Sequence, residues 1–209
     1  PAHGGACVAR DESGRVVFVR HALPGERVRA RIIDRQKRMA WAEALEILEA
    51  SPDRISSVWP AAGPGGVGGG ELAHVSPEGQ RRWKSEVLLD QLGRIGRDRV
   101  MQQVDAIGGV EVRPAPGDEE SGSLLGRRTR IECVVDAEGF LGMRQYRSHK
   151  IVRLDSMPLA SAQINALPVW EGNEVFSSLP QGSRVRLIAP PAGTPEICTD
   201  QGCWDGEGN

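Results

Sequence analysis

The stretch Arg15-Val16-Val17-Phe18-Val19-Arg20-His21-Ala22-Leu23-Pro24-Gly25-Glu26-Arg27-Val28-Arg29-Ala30-Arg31-Ile32 decides how the front of this chain folds. Its first part is a β-branched run of the kind enriched in strands. Leu23-Pro24-Gly25 reads as a turn, because proline fixes φ and glycine accepts a reversed backbone. Beyond it Val28, Ala30 and Ile32 alternate with Arg27, Arg29 and Arg31. A period of two sends the apolar set to one face of a strand and the arginines to the other. Downstream, Trp41, Ala42, Ala44 and Ile47 predict a further strand, although Ala-Glu-Ala-Leu-Glu also fits a helix. Short strands joined by tight turns within residues 1–50 predict a small β-barrel. Such barrels often bind single-stranded nucleic acid through basic grooves.

Residues 51–75 read as loop, with Pro52, Pro60, Pro64 and the run Gly63-Pro64-Gly65-Gly66-Val67-Gly68-Gly69-Gly70. Gly63, Gly65 and Gly68 spell a formal G-x-G-x-x-G, but a dinucleotide loop needs a buried strand before it and a helix directly after it. Ser76 and Pro77 then predict the N-cap and first residue of a helix. Trp83, Val87, Leu88, Leu92 and Ile95 give it one apolar stripe, and Gly96 predicts its end. A second β-rich stretch follows, with strands at 128–135, 140–146 and 150–154. The turn Asp136-Ala137-Glu138-Gly139 joins the first two. Residues 158–167 read as a short helix, 184–188 as a strand, and 191–209 as a flexible tail rich in Pro, Gly and acids.

The 209 residues are 39% hydrophobic and 26% charged, a globular balance. No apolar run approaches the ~20 residues of a membrane helix, and the polar start Pro1-Ala2-His3-Gly4-Gly5 does not resemble a signal peptide. These features predict a cytoplasmic protein. Net charge is only -2. Locally the balance differs: Arg20, Arg27, Arg29, Arg31, Arg35, Lys37 and Arg38 face only Glu26 and Asp34. A basic stripe can hold phosphates even on a near-neutral chain, although such runs also occur as ordinary solvated surface. Arg144, Arg147, His149, Lys150 and Arg153 make a second basic run. Cys7 and Cys133 sit in apolar strand-like contexts and read as small core residues. Cys198 and Cys203 make half a zinc site at most, and nothing in the spacing predicts a disulfide framework.

Several segments resemble one family. Ala2-His3-Gly4-Gly5-Ala6-Cys7-Val8-Ala9-Arg10, Gly14-Arg15-Val16-Val17-Phe18-Val19 and Ala22-Leu23-Pro24-Gly25-Glu26 are similar to the TRAM domain, an OB-like barrel found at the front of many uracil-5 RNA methyltransferases. Ser51-Pro52-Asp53-Arg54 resembles the exit from that barrel. Ala73-His74-Val75-Ser76, with Gln80 and Lys84, resembles the segment after the family's cysteine cluster. Arg128-Thr129-Arg130, Gly142-Met143-Arg144 and Arg147-Ser148-His149 resemble its central domain. The fold expected is mainly β with some α: an OB-like TRAM barrel at 1–50, a Gly/Pro-rich loop at 51–75, a helix plus mixed α+β central domain at 76–190, and the tail at 191–209.

The resemblance also implies groups that this chain lacks. The family's [4Fe-4S] cluster is held by four cysteines, whose positions are taken here by Trp59, Val67, Gly70 and, near the fourth, Met157. None supplies a thiolate, so the cluster is expected to be absent. The family's cofactor S-adenosylmethionine is implied for a catalytic domain that the chain is expected to stop short of. No catalytic, cofactor-binding or metal-ligating residue is therefore assigned. RNA-binding residues are expected at Arg20, Arg27, Arg29, Arg31, Lys37 and Arg38 on the barrel, and at Arg128, Arg130, Arg144, Arg147 and Lys150 on the central domain. With aromatics at 4%, base stacking is expected to be minor. The expected partner is rRNA or tRNA, with no DNA and no membrane. The chain then reads as the RNA-binding front of an enzyme that methylates C5 of uridine, inactive by itself. The alternative is a non-catalytic RNA-binding adaptor derived from that family.

Overall fold

The computed structural model describes residues 1–172 and 174–205. The chain forms two units: Pro1–Val58 with Gly70–Ser123, and Trp59–Gly69 with Leu124–Asn209. This division differs from the expected one. The glycine-rich segment 59–69 joins the second unit rather than standing as a separate loop. The long helix joins the first, because its Trp83 packs with Leu23 and Val75.

In the first unit, β1 (Ala6–Arg10), β2 (Val16–Arg20), β3 (Arg27–Arg35) and β4 (Met39–Glu49) form a sheet of order β1-β2-β4-β3. The β1–β2 and β3–β4 pairs are antiparallel, whereas β2 and β4 run parallel. Val17, Val19, Ala22, Ala40, Ala42 and Ala44 make the core, with Cys7, Val28 and Ile47 packed against it. On the opposite face Phe18 stacks on Trp41, its partner in the ladder, at 4.9 Å between ring centroids. Strand β3 lies at an edge. Of the expected apolar face, only Val28 joins the core; Ala30 is exposed and Ile32 is 42% exposed. A charged edge strand of this kind discourages pairing with other chains.

Glu26 fixes the route out of the sheet. Its side chain has no exposed surface. Its carboxylate accepts hydrogen bonds from Leu23 N at 2.8 Å, Ser51 N at 3.1 Å, Arg54 Nε at 2.5 Å and Arg54 Nη2 at 2.6 Å. Arg54 Nη2 also donates to His21 O at 2.9 Å. One carboxylate therefore ties the Leu23–Gly25 turn to the strand exit. Burial pushes its pKa up, but the hydrogen bonds from Arg54, Ser51 and Leu23 outweigh this and hold it below the usual carboxylate value.

Helix α1 (Pro77–Ala106) starts as the sequence predicts, with the Ser76 hydroxyl accepting from Gly79 N at 3.1 Å. It breaks at Arg97, whose φ of 50° and ψ of -156° are not helical. A side chain on Gly96 would collide with Val100, so glycine is required at the break. The expected apolar stripe is buried only at its start: Trp83 is 6% exposed, whereas Leu88 is 43% and Ile95 81% exposed. Short α2 (Asp118–Ser121) follows.

The second unit is a six-stranded sheet of order β10-β9-β8-β5-β6-β7. Its strands are β5 (Arg130–Val135), β6 (Leu141–Arg144), β7 (Ile151–Arg153), β8 (Arg184–Ile188), β9 (Glu196–Thr199) and β10 (Gly202–Asp205). Ile131, Cys133, Val135, Leu141, Val185, Leu187 and Ile197 point to the buried face. Between β7 and β8 lie α3 (Ala162–Asn165) and α4 (Glu174–Ser177), which bury Ile164 and Phe176 completely. The helix expected over 158–167 is thus only four residues long. Asn165 accounts for the rest: its side chain receives Met157 N and donates to the carbonyls of Met157 and Ala160, fixing the preceding residues in turns.

The expected flexible tail is corrected from Glu196 to Asp205. These residues form a hairpin on β8, with Ile197 opposite Leu187 in the core. Cys198 and Cys203 face each other across it and form a disulfide, which the sequence reading did not anticipate. The part of the expected tail after Asp205 lies outside the described residues. Cys133 is 1% exposed and Cys7 half-buried, in keeping with the core roles expected of them. Burial pushes the Cys7 thiol up to about 11 and the Cys133 thiol up to about 12.

Replacing Glu26 by alanine leaves Arg54 and two backbone N–H groups buried without their acceptor. Loss of one partner of a buried pair costs about 3–5 kcal/mol. Urea unfolding of Glu26→Ala is expected to show that loss, and a change under ~1 kcal/mol would contradict the clamp.

Candidate nucleic-acid interface

Each sheet places its cations by ladder register. On β3, Arg27, Arg29 and Arg31 are exposed on one face as the alternation predicts, but each stands opposite a glutamate of β4. The ladder pairs Arg27 with Glu49, Arg29 with Glu46 and Arg31 with Glu43. The ion pairs close at 2.8, 2.5 and 3.6 Å, respectively. Three cations and three anions share that strip, so its field largely cancels. The sequence window that found the stripe missed the acids because they lie on the following strand.

Arg20 is a second correction. It is 2% exposed and its Nη1 donates to Glu43 Oε1 at 3.2 Å, while Nη2 lies 4.0 Å from Glu71. Arg20 and Glu43 are partners in the parallel β2–β4 ladder, which sets their side chains side by side on the sheet face that also carries Phe18 and Trp41. Arg20 holds the fold together and has no surface to offer a ligand. Lys37 and Arg38 are exposed with Arg35 at the β3–β4 turn, where Asp34 is the nearby acid in sequence. The accessible positive charge of this strand pair therefore concentrates at that tip.

His21 and His74 are both buried, with ring centroids 6.0 Å apart, and His21 lies beside the Arg20–Glu43 pair. His21 has φ 61°. Its Nε2 is 4.0 Å from Glu43 Oε1, and neither Nε2 has a hydrogen-bond partner. Burial, then the charges of Arg20, His74 and Arg54, lower the His21 pKa to about 3. Burial, then Arg54, lowers that of His74 to about 4 despite an opposing effect of Glu26.

In the second unit the expected residues are all exposed: Arg128, Arg130, Arg144, Arg147 and Lys150. Arg128 Nη2 donates to Gly69 O at 3.4 Å. Arg147, at φ 53°, lies 5.5 Å from the Tyr146 ring centroid. Arg144 Nη1 is 3.2 Å from His149 Nδ1. The register brings Arg130 and Arg144 onto one face of the sheet, whereas Arg147 and Lys150 lie in the β6–β7 turn. The same face carries Arg153, Arg184 and Arg186, which the sequence reading left out. The alternation Arg184-Val185-Arg186-Leu187 was the signal that could have found the last two.

The glycine-rich segment carries no dinucleotide loop. A 3-10 turn at Pro60–Ala62 precedes it, and backbone bonds such as Val67 N to Ala61 O at 2.8 Å wind it on itself. Tyr146 N donates to Gly66 O at 3.2 Å. At the expected cluster positions Trp59, Val67 and Met157 are at most 3% exposed, and Gly70 has no side chain. This donor set does not fit an iron–sulfur cluster, which needs thiolates. Among the described residues no group of three or more His, Cys, Asp or Glu side chains could hold a metal ion. No helix among the described residues is long and apolar enough to cross a membrane.

The family model of the TRAM domain matches residues 1–45. The front of this chain is thus similar to a TRAM domain. Over 90% of its length the chain is 40% identical to a Streptomyces avermitilis protein named as an uncharacterized RNA methyltransferase, covering 44% of that protein. A Streptomyces coelicolor protein of the same description is 42% identical, over 90% of this chain and 42% of the relative. The 23S rRNA (uracil(1939)-C(5))-methyltransferase RlmD of Halomonas elongata is 38% identical, over 90% of this chain and 37% of its own length. A Pyrococcus abyssi tRNA (uracil-54, C5)-methyltransferase, solved with S-adenosyl-L-homocysteine, aligns at a TM-score of 0.49 and 16% identity, over 94% of this chain and 46% of that one. The chain is thus similar to proteins named RNA methyltransferases, and it spans less than half the length of each of these relatives.

The buried imidazoles make stability depend on pH. An unfolded histidine binds a proton near pH 6.5; the folded pair resists protonation down to about 4 for His74 and about 3 for His21. As pH falls below 6.5 the unfolded chain takes up protons first, so stability drops by up to about 1.4 kcal/mol per pH unit for each histidine. The lowered pKa of Glu26 adds a loss in the same direction at lower pH. Unfolding midpoints measured from pH 7 to pH 4 are expected to fall, with a shallower fall in His74→Gln. A flat profile would contradict the burial of neutral imidazoles.

Proposed function

We propose that this chain docks RNA for a uracil-C5 RNA methyltransferase that uses S-adenosylmethionine, holding rRNA or tRNA while C5 of a uridine is methylated in the cytoplasm. The observation that carries this reading is similarity over nine-tenths of the chain to proteins named RNA methyltransferases, one of them a 23S rRNA uracil-C5 enzyme, joined to a TRAM domain. Exposed cations support it: Lys37 and Arg38 at the β3–β4 tip, and Arg128, Arg130, Arg144, Arg147 and Lys150 in the second unit. Contacts of this kind grip the phosphate backbone and fix its position without reading sequence. Methyl transfer itself is assigned to the part of such proteins that these residues do not cover. The described residues contain no strand–glycine loop–helix unit of the dinucleotide type.

Binding through phosphates releases counterions. Titration of the chain with a structured RNA is therefore expected to give measurable affinity that weakens by about tenfold or more between roughly 50 and 200 mM salt. No binding at low salt would refute the reading.

A further inference from the structure

The outer face of the six-stranded sheet gathers arginines from four strands that neither basic run in the sequence contains together. Antiparallel partners project to the same side. The register therefore aligns Arg153 with Gly142, Gly142 with Val134 and Val134 with Arg184 in one row across β7, β6, β5 and β8. Arg144, Arg130 and Arg186 lie two or four residues along the same strands and share that face. All five arginines are exposed. Three acids share the face: Glu132 on β5, opposite Arg186 and 3.8 Å from Arg184, and Glu196 and Asp205 on β9 and β10 beyond Ile188, so the described arginines outnumber them by two.

The floor of the row is low. Val134 is 8% exposed. Gly142 admits no side chain, because a Cβ there would come 2.5 Å from Val152 O. With strands about 4.8 Å apart, the backbones of Arg153 and Arg184 stand about 14 Å from each other across this floor. Arg153 is held in place by stacking, with its guanidinium carbon 3.2 Å from the Phe140 ring centroid. The ring beneath it is thereby covered and does not offer a base a stacking surface.

We propose that this face is a phosphate track. One RNA strand lies over Gly142 and Val134, with its backbone held between Arg153 on one side and Arg184 and Arg186 on the other. Charge complementarity selects the occupant. Guanidiniums match phosphate oxygens in bidentate geometry, and the face offers cations without aromatic rings, so it positions RNA irrespective of base identity. This rests on the RNA-docking reading and adds Arg153, Arg184 and Arg186 to it as positioning residues.

The test compares the wild-type chain with Arg184→Gln/Arg186→Gln and with a charge-matched control, Arg94→Gln/Arg113→Gln. The control removes two exposed arginines already paired to Asp90 and Glu111. The probe is a mixed-sequence RNA hairpin with a single-stranded tail. The first variant is expected to weaken binding about tenfold at low salt and to reduce the salt slope by about 2, one for each lost phosphate contact. The control is expected to stay within about twofold. Arg184→Lys/Arg186→Lys is expected to keep most of the affinity, because phosphate needs the charge. Wild-type binding that ignores Arg184 and Arg186, or an equal loss in both glutamine variants, would overturn the track while leaving RNA docking intact. Absence of wild-type binding would overturn both. Competition by poly-glutamate as efficient as by unlabelled RNA would also sink the track, by assigning the face to an acidic protein partner.

Discussion

Cross-strand pairing of β3 with β4 determines how charge is distributed on the four-stranded sheet. In a regular ladder, Glu43, Glu46 and Glu49, spaced by three, would alternate between faces. Register shifts between Arg27 and Val28 and between Arg29 and Ala30 restore the match. Each leaves one β4 residue without a partner, so two residues oppose one as in a β-bulge. The unpaired residues are Leu48 and Leu45, which stand 44% and 50% exposed. The fold thus exposes two leucines and keeps three glutamates facing three arginines. The Arg27–Glu49 and Arg29–Glu46 pairs, exposed on both sides, contribute only about 0.2–1 kcal/mol each to stability. Their larger effect is on the field, which they nearly cancel over the length of β3.

The buried end of the same pairing shows a different balance. Glu43 pairs with the exposed Arg31 and the buried Arg20, close to the neutral His21. There the partners are desolvated, and removing one costs far more than the pair contributes. Charge on this sheet therefore serves mainly to hold strands together, and cations available to a ligand are left at the β3–β4 tip. The second sheet has the reverse arrangement. Its five arginines come from β5, β6, β7 and β8 and outnumber Glu132, Glu196 and Asp205 on the same face.

Much of this was legible in the sequence. The Val16–Arg20 strand, the turn at Leu23-Pro24-Gly25, the Ser76 cap and the Arg184–Ile188 strand follow from local chemistry, and the structure has them. The TRAM resemblance also rested on residues that the family model matches. What local patterns did not give was pairing. Arg20 reads as one more surface arginine until Glu43 is placed beside it in a parallel ladder. The hairpin at 196–205 hides in a tail rich in Pro, Gly and acids, because its stability depends on docking to β8 and on the Cys198–Cys203 bond. The track of arginines is assembled from four strands separated by turns and two short helices, so no sequence window contains it. Helix α1 misled in the other direction: its apolar stripe is regular, yet Ile95 is 81% exposed.

Charge cancellation along β3 rests on Glu46 and Glu49 at the exposed end of the strand pair. Glu46→Gln/Glu49→Gln removes the partners of Arg29 and Arg27 while leaving the buried Glu43 in place. RNA affinity of this variant, measured as a function of salt, is expected to rise several-fold with a steeper salt dependence, because two guanidiniums are released to phosphates. Affinity and salt slope indistinguishable from wild type would contradict the claim that these glutamates, through their pairing, silence the arginine stripe.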